Sequence, residues 1–269
     1  MTLGPVLKYP GSKWRMADWI VSHMPKHRTF LEPFFGSGAV LFNKTPSPIE
    51  TVNDLDENVT NLFKLVRDFP EELARRISLT PYSRHEYDMT FDGLVPVDEF
   101  EKARRFLVRC WQGHGFRTNG YKVGWKNDVQ GREKAYALSN WYRLPDWIMQ
   151  VTERLKQVQI ECLPALGVIK RHAYDNVLIY ADPPYVLSTR TAKQYKHEMT
   201  DQDHIELLEA LDDHTGPVLL SGYACDLYDS RLEHWTRKTF KAFAEGGRER
   251  EEVLWINPTA AKMIGTTLF

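Results

Sequence analysis

The run Val177-Leu178-Ile179-Tyr180-Ala181 stops on Asp182-Pro183-Pro184-Tyr185, and it constrains the fold more than any other stretch. Five residues rich in β-branched and aromatic types suit a strand buried on both faces, as in a parallel sheet. Consecutive prolines cannot extend it, because they lack the N–H that a ladder needs. The chain must therefore turn at Pro183. Asp182, the carbonyls beside the prolines and the ring of Tyr185 are left at the carboxyl end of the strand, where open α/β sheets hold ligands. Such a tip offers acceptors and a stacking plate, which are what an exocyclic amino group on a planar base would require. Taken alone, the same residues also describe an ordinary strand that ends in a proline-rich loop.

The 269-residue chain is long enough for one large domain, or for a core with an insertion. Its 42% hydrophobic content is that of a globular protein. No apolar run approaches the roughly 18 to 20 residues of a membrane span, and Met1 to Pro10 lacks a signal-peptide pattern, so a cytoplasmic protein with no membrane partner is expected. Cys110, Cys162 and Cys225 are far apart and form no Cys-x-x-Cys pair, which points to neither a disulfide framework nor a metal site. Net charge is -1, so any polyanion partner must be met by a local patch.

Near the N-terminus, Lys8-Tyr9-Pro10-Gly11-Ser12-Lys13 is turn-forming and precedes an amphipathic helix bearing Ala17, Ile20, Val21 and Met24, with Ser12 as its expected N-cap. Thr29 to Leu31 reads as a strand. Glu32-Pro33-Phe34-Phe35-Gly36-Ser37-Gly38 follows it, and then a helical run through Val40, Leu41 and Phe42. Glycines in such a strand–loop–helix turn let backbone approach a ligand, beside the N–H groups of the helix start. No Gly-Lys-Ser/Thr follows, and Leu41 stands where the third glycine of a dinucleotide fingerprint belongs, so ATP and NAD are disfavoured. Thr51 to Asp54 reads as a second strand ending in an acid, the position from which α/β nucleotide folds hold a ribose. Asp54 as N-cap of the next helix, through Leu55, Val59, Leu62, Phe63 and Val66, is compatible with that role.

From Phe69 the βα rhythm breaks until Val158, which predicts an insertion of about ninety residues. Within it, Phe100, Ala103, Phe106, Leu107, Cys110 and Trp111 form one helix face, while Arg104, Arg105 and Arg109 lie elsewhere. Gly115 to Lys126 follows, with Asn119-Gly120 as a two-residue hairpin turn, so a basic, aromatic β-ribbon is expected. Between Glu101 and Arg143, ten basic residues (Lys102, Arg104, Arg105, Arg109, Arg117, Lys122, Lys126, Arg132, Lys134, Arg143) face only Glu101, Asp128 and Glu133. Such segregation is either a solvated basic face or the footprint of a polyanion, and a ribbon of this kind fits a DNA major groove.

A helix through Ile148, Val151, Leu155 and Val158 leads back to a strand over Ile160 to Leu163. After Tyr185, Ser188 to Lys196 is polar and basic, suited to a mobile loop over a bound polyanion. Thr200 to Asp203 is a capping box for a helix through Ile205, Leu208 and Leu211. Val218 to Tyr223 is a buried strand. Trp235 to Phe243 and Glu252 to Asn257 flank Glu245-Gly246-Gly247-Arg248 as a terminal hairpin. An α/β sheet closed by an antiparallel hairpin points to a methyltransferase sheet.

Taken together and in order, Lys8-Tyr9-Pro10-Gly11-Ser12-Lys13, Phe30 to Gly38, Asp54, the insertion and Asp182-Pro183-Pro184-Tyr185 resemble the Dam-type (D12 class) DNA adenine-N6 methyltransferases over nearly the whole chain. The resemblance implies a Rossmann-like, S-adenosylmethionine-dependent catalytic domain over 1–68 and 158–269. It also implies a mainly helical target-recognition insertion with a β-hairpin over 69–157. Tyr9, Pro10, Lys13, Glu32, Pro33, Phe34, Gly36, Gly38, Asp54 and Asp182 would contact the cofactor, with Asp54 on the ribose. Asp182, Pro183, Pro184 and Tyr185 would be catalytic. Arg109, Arg117, Asn119, Tyr121, Lys122, Lys126 and Arg190 would meet double-stranded DNA. Tyr9 replaces a common tryptophan and Ser12 a frequent glycine; Pro164 stands near a frequent aspartate, so no adenine contact is expected there.

The chemistry implied requires no metal. The adenine N6 lone pair is delocalised into its ring, and hydrogen bonds from the amino group to Asp182 and the Pro183 carbonyl would localise it for methyl transfer. A stacked base cannot reach such a pocket, so it must be flipped out and placed against Tyr185. Cytosine N4, a protein glutamine amide, or a catalytically inactive DNA-binding module on the same fold are the alternatives. Neither the recognised DNA sequence nor a restriction endonuclease partner is written in these residues.

Overall fold

The computed structural model describes residues 3–127, 129, 136–190, 192–243 and 249–266. The chain opens with α1 (Ala17–Ser22), β1 (Thr29–Glu32), α2 (Ala39–Asn43), β2 (Ile49–Asn53) and α3 (Glu57–Asp68). The helices α4 (Pro70–Ser78), α5 (Arg84–Met89), α6 (Glu99–Gln112) and α7 (Tyr136–Leu155) come next. The chain continues through β3 (Val158–Glu161), α8 (Ala165–Arg171), β4 (Val177–Ala181) and α9 (Asp201–Asp212). It finishes with β5 (Val218–Tyr223), α10 (Asp226–Arg231), β6 (Thr236–Phe243), β7 (Glu249–Ile256) and α11 (Pro258–Thr266).

Seven strands form one sheet in the order β3-β2-β1-β4-β5-β7-β6. All neighbours are parallel except β7, which runs antiparallel to both β5 and β6. This is the Rossmann-like methyltransferase sheet with its terminal antiparallel hairpin. Strand order reverses between β1 and β4, so the crevice outside their carboxyl ends is the topological switch point. Every residue of β1 and β4 is buried, which explains why both strands read as continuous apolar runs. Their last members, Glu32 and the following Asp182, are thereby delivered side by side to that crevice.

Several local expectations shift. Ser12 does not cap α1, which begins at Ala17 after an uncapped Met16; its hydroxyl instead bonds Ser37 Oγ at 2.8 Å. The cap of α3 is Asp56, which accepts from the Asn58 N–H, and not Asp54. Val158 opens β3 and is not the last turn of α7. The capping box at Thr200 and Asp203 is present.

The helices α4 to α7 do not form a separate core. Leu73, Ile77, Phe106, Leu107, Trp111, Trp141, Ile148 and Val151 pack in one cluster with Val59, Leu62 and Phe63 of α3 and with Phe30 of β1. The indole of Trp111 donates to Val6 O at 3.0 Å, and Thr152 Oγ1 donates to Val66 O at 3.0 Å. Among the described residues, no helix is long and apolar enough to cross a membrane.

The expected β-ribbon over 115–126 is a loop. A single antiparallel bridge joins Gly113 to Trp125, with His114 N donating to Gly124 O at 2.9 Å and Lys126 N to Gln112 O at 2.7 Å. Gly120 takes φ +82°, but Asn119 is not at positive φ, so a type I′ turn, which needs both, does not form. The Asn119 side chain accepts from the Tyr121 N–H instead. The backbone bonds a ribbon would have made internally go elsewhere. Val123 O accepts from the Tyr87 hydroxyl at 2.8 Å, and Thr118 N donates to Gln194 O at 2.8 Å. Asp128, Arg132, Glu133 and Lys134 lie outside the described residues, as do Thr191 and the hairpin turn at Glu245 to Arg248.

Candidate active site

The crevice at the switch point is a cleft of about 260 Å³ whose walls come from segments far apart in sequence. Tyr9 to Lys13 form one side, Glu32 and Phe34 to Ser37 the floor, Asp54 to Asp56 one end, and Asp182 with Pro184 the other. The glycine loop takes this path because Gly38 sits at φ +68°, where a side chain would be strained and would run into the rings of Phe35 and Phe42. Asp54 closes the loop from β2: it accepts from Gly36 N at 2.8 Å and from Asp56 N at 2.9 Å. Burial nonetheless pushes its carboxyl up to about 7, against the pull of those two N–H groups.

At the other end, Asp182 Oδ2 is 2.9 Å from the buried Lys13 ammonium, while Asp182 Oδ1 is buried without a hydrogen-bond partner. Burial pushes the Asp182 carboxyl up to about 6 and Lys13 restrains it. Glu32 beside it is held well above the ordinary carboxylate range by burial and by the charge of Asp182, and one of its oxygens is also unpartnered. The Tyr185 hydroxyl donates to Glu252 of β7 at 2.5 Å, so the terminal hairpin reaches into the site.

The sequence of elements and the cleft match a known family along most of the chain: the family model for D12 class N6 adenine-specific DNA methyltransferases covers residues 9–245. The chain belongs to that family. Its reaction is S-adenosylmethionine-dependent methylation of adenine in DNA. A type II methyltransferase of Lactococcus lactis subsp. cremoris is 28% identical over 77% of this chain and 75% of its own. The DNA adenine methylase of Escherichia coli K12 is 25% identical over 92% and 91%. Among solved structures, a SAM-dependent methyltransferase from Agrobacterium tumefaciens aligns over 90% of this chain and 59% of its own, at TM-score 0.39 and 11% identity.

In this adenine methyltransferase, most of the expected cofactor residues line the cleft: Tyr9, Pro10, Lys13, Glu32, Phe34, Gly36, Asp54 and Asp182. Pro33 and Gly38 stand behind it. Pro33 O accepts from Asn53 Nδ2 at 3.0 Å, and Gly38 precedes α2. The residues fit S-adenosylmethionine. Among the described residues, the cleft's lining holds several acids but one lysine, Lys13, already paired to Asp182, and no arginine; with Glu32 held toward its neutral form by burial and Glu198 paired to Arg190, the cleft offers acceptors for a cationic group and no cationic cradle for a polyphosphate. The buried oxygen of Glu32 still wants a donor.

Tyr185 departs from expectation. It is 8% exposed and does not line the cleft. Lys13 Nζ lies 4.8 Å over its ring and Tyr223 meets it edge-on at 4.5 Å, so the expected stacking plate is covered. Tyr195 lines the cleft in its stead, with its hydroxyl donating to Pro10 O at 3.1 Å. The segment Ser188 to Lys196, expected as a loop over a polyanion, folds its Tyr195 back on the N-terminal segment.

Two expected DNA contacts are turned inward. The Arg190 side chain is 7% exposed, paired with Glu198 at 2.5 Å, and donates to Tyr185 O at 2.8 Å. Arg109 lies over the Phe91 ring at 4.6 Å and donates to Thr90 O. Asn119, Tyr121 and Lys122 are exposed, while Arg117 and Lys126 are half-buried. The charge count also loses force. Arg104 pairs with Glu101 and Glu86, Arg105 with Asp92 and Glu101, Lys102 with Glu99, and Lys122 with Asp88. Four of those acids, Glu86, Asp88, Asp92 and Glu99, lie just upstream of the segment counted. Glu252, Glu198 and Tyr195 carried no motif and were missed; a carboxylate on an edge hairpin gives no local signal.

Proposed function

We propose that this chain is a site-specific adenine-N6 methyltransferase in which Asp182 is the acceptor that receives the amino group of a flipped-out adenine. The observation that carries the reading is the placement of Asp182 in one cleft with the glycine loop and Asp54, its Oδ1 buried and unpartnered. An N6 hydrogen would satisfy that oxygen, and the Pro183 carbonyl would take the second hydrogen. Together they localise the nitrogen lone pair, so that positioning and electrostatics supply the acceleration.

When bound, S-adenosylmethionine supplies the electrophilic methyl group. Asp54 would hold its ribose diol, Glu32 its ammonium end, and Tyr9 and Phe34 its apolar faces. The base would enter past Pro184, flipped because a stacked adenine cannot reach a cleft this deep. Residues 69–157 would form the target-recognition unit, with Arg117, Asn119, Tyr121, Lys122 and Lys126 on the loop that meets the duplex. Its place would be the cytoplasm, with the DNA. The test is transfer of radiolabelled methyl from S-adenosylmethionine to DNA, followed by digestion and identification of the base. N6-methyladenine supports the reading; N4-methylcytosine or an unlabelled product overturns it.

A further inference from the structure

Lys13 is a cofactor contact by resemblance, but its ammonium has three N–H groups and the protein uses all of its surroundings. Gly11 O accepts at 2.5 Å, Asp182 Oδ2 lies at 2.9 Å, and the remaining face looks onto the Tyr185 ring at 4.8 Å. The side chain is 5% exposed, so it is not free to swing toward a ligand without breaking an internal ion pair. Gly11 is at φ +74°, and a Cβ there would meet the Tyr195 hydroxyl at 2.6 Å. The turn that aims Lys13 is thus itself clamped from the Tyr195 side.

Beyond Lys13, Asp182 has several anionic or ionisable neighbours. Glu252 of β7, through the Tyr185 hydroxyl, and Glu32 of β1 both act on it or are acted on by it. Tyr180 of β4, Tyr185, Tyr228 of α10 and Tyr195 of the following loop also interact with it, and Tyr223 of β5 faces Lys13. Lys13 is the cation in contact with Asp182, while Lys44 acts on Glu32 and Arg190 on Tyr195. We propose that Lys13 is a positioning residue for methyl transfer: it holds the Asp182 carboxylate ionised and fixed through Oδ2, and it serves this pair in preference to the cofactor. The inference rests on the reading of Asp182 given above.

The sign follows from the neighbours. Burial lifts Asp182 and Lys13 lowers it, so the methyl-transfer rate, which needs the carboxylate, falls as pH drops through about 6. Removing Lys13 raises that limb. Removing Glu252, a like charge that lifts Asp182, lowers it. Lys13 itself stays charged throughout, because Asp182 and Glu252 outweigh the burial that would lower it.

The experiment measures single-turnover transfer of tritiated methyl to unmethylated genomic DNA from pH 5.5 to 9, at saturating S-adenosylmethionine, for the full chain and for Lys13→Met, Lys13→Arg and Glu252→Gln. Cofactor affinity is measured by calorimetry on the same samples. Lys13→Met is expected to move the acid limb up by about two pH units and so to slow transfer at pH 7 about tenfold. It should recover toward pH 9, with cofactor Kd within about threefold of the parent. Lys13→Arg should keep the parent limb, and Glu252→Gln should move it down. A parent-shaped profile in Lys13→Met, a uniform loss at all pH, or a tenfold weaker cofactor Kd overturns the proposal. If Lys13→Met does not fold, Lys13→Gln, uncharged but polar, is carried through the same pH series and the same outcomes decide. A parent enzyme that methylates no adenine refutes the functional reading; one that methylates with a limb indifferent to both residues refutes only the role of Lys13.

Discussion

The Asp182 tip and the loop over 113–126 are both rich in charge, yet they are built on opposite principles. Asp182 sits at the end of a fully buried strand, and its partners converge from the N-terminal turn, β1 and β7. Two of these partners sit on strands of the sheet and the third on a turn tied to the glycine loop through Ser12 and Ser37, so one carboxylate is presented in one geometry. The loop over 113–126 has a single bridge of its own and borrows its remaining bonds from Tyr82, Tyr87 and the segment around Lys193 to Lys196. Few cations are involved at the tip and their pairing sets the chemistry; many lie in the insertion, and several are paired off. The difference teaches that charge counts along a segment predict function poorly where acids just outside the segment fold back onto it.

The comparison breaks most directly at Asp182. Asp182→Ala is expected to lower methyl transfer on the order of a thousandfold or more, since it removes the acceptor in a preorganised site. Calorimetry should still detect cofactor binding; near-normal turnover would refute the tip's assigned role. Arg190→Ala comes next. Because Arg190 bonds Tyr185 O and Glu198, its loss should cost about ten- to a hundredfold in kcat through misplacement of the tip. The salt dependence of DNA binding should be unchanged. A shallower salt slope would instead return Arg190 to the DNA contacts.

Asp54→Asn should weaken the cofactor about tenfold, the usual scale for a hydrogen bond to a charged group. In the parent protein, cofactor affinity should fall as pH drops through about 7, where Asp54 takes up its proton, and Asp54→Asn should flatten that dependence. The stability of the free protein has the opposite sign. The folded state keeps a proton on Asp54 that the unfolded chain releases above 3.8, so stability declines as pH rises from about 4 to about 7 and then levels. Thermal melts across that range, with and without Asp54→Asn, check it.

The smallest effects separate paired from presented cations. Lys126→Ala and Arg117→Ala should each reduce the slope of log K against log salt by about 0.9, the value for one phosphate contact. Arg109→Met should leave that slope alone and lower Tm by about 3 °C, because its guanidinium packs on Phe91 within the fold. A slope change for Arg109→Met would undo the distinction drawn here between the two regions.

How much was legible depends on how local the physics is. A strand that ends in two prolines, a glycine loop after β1, an acid after β2 and the capping box at Thr200 each depend on neighbours a few residues away, and each stands where it was expected. The loop at Asn119 failed for a physical reason. Its turn preference is worth little once Tyr87 and Gln194 take the bonds that a hairpin would have made. Arg109 and Arg190 failed similarly, since their partners Phe91 and Glu198 become neighbours only when chain segments fold onto each other.

By itself, the sequence determined the parallel sheet, its closing hairpin, three of the cleft's acids (Glu32, Asp54 and Asp182) and the family, because periodicity, proline and glycine act over short range. Only the tertiary structure decided which charges cancel, that Tyr185 is covered, and that Lys13 and Glu252 address Asp182. Those outcomes depend on ion pairs and burial between residues far apart in sequence, such as Lys13 and Asp182, 169 positions apart and 2.9 Å from each other, and no local preference encodes them.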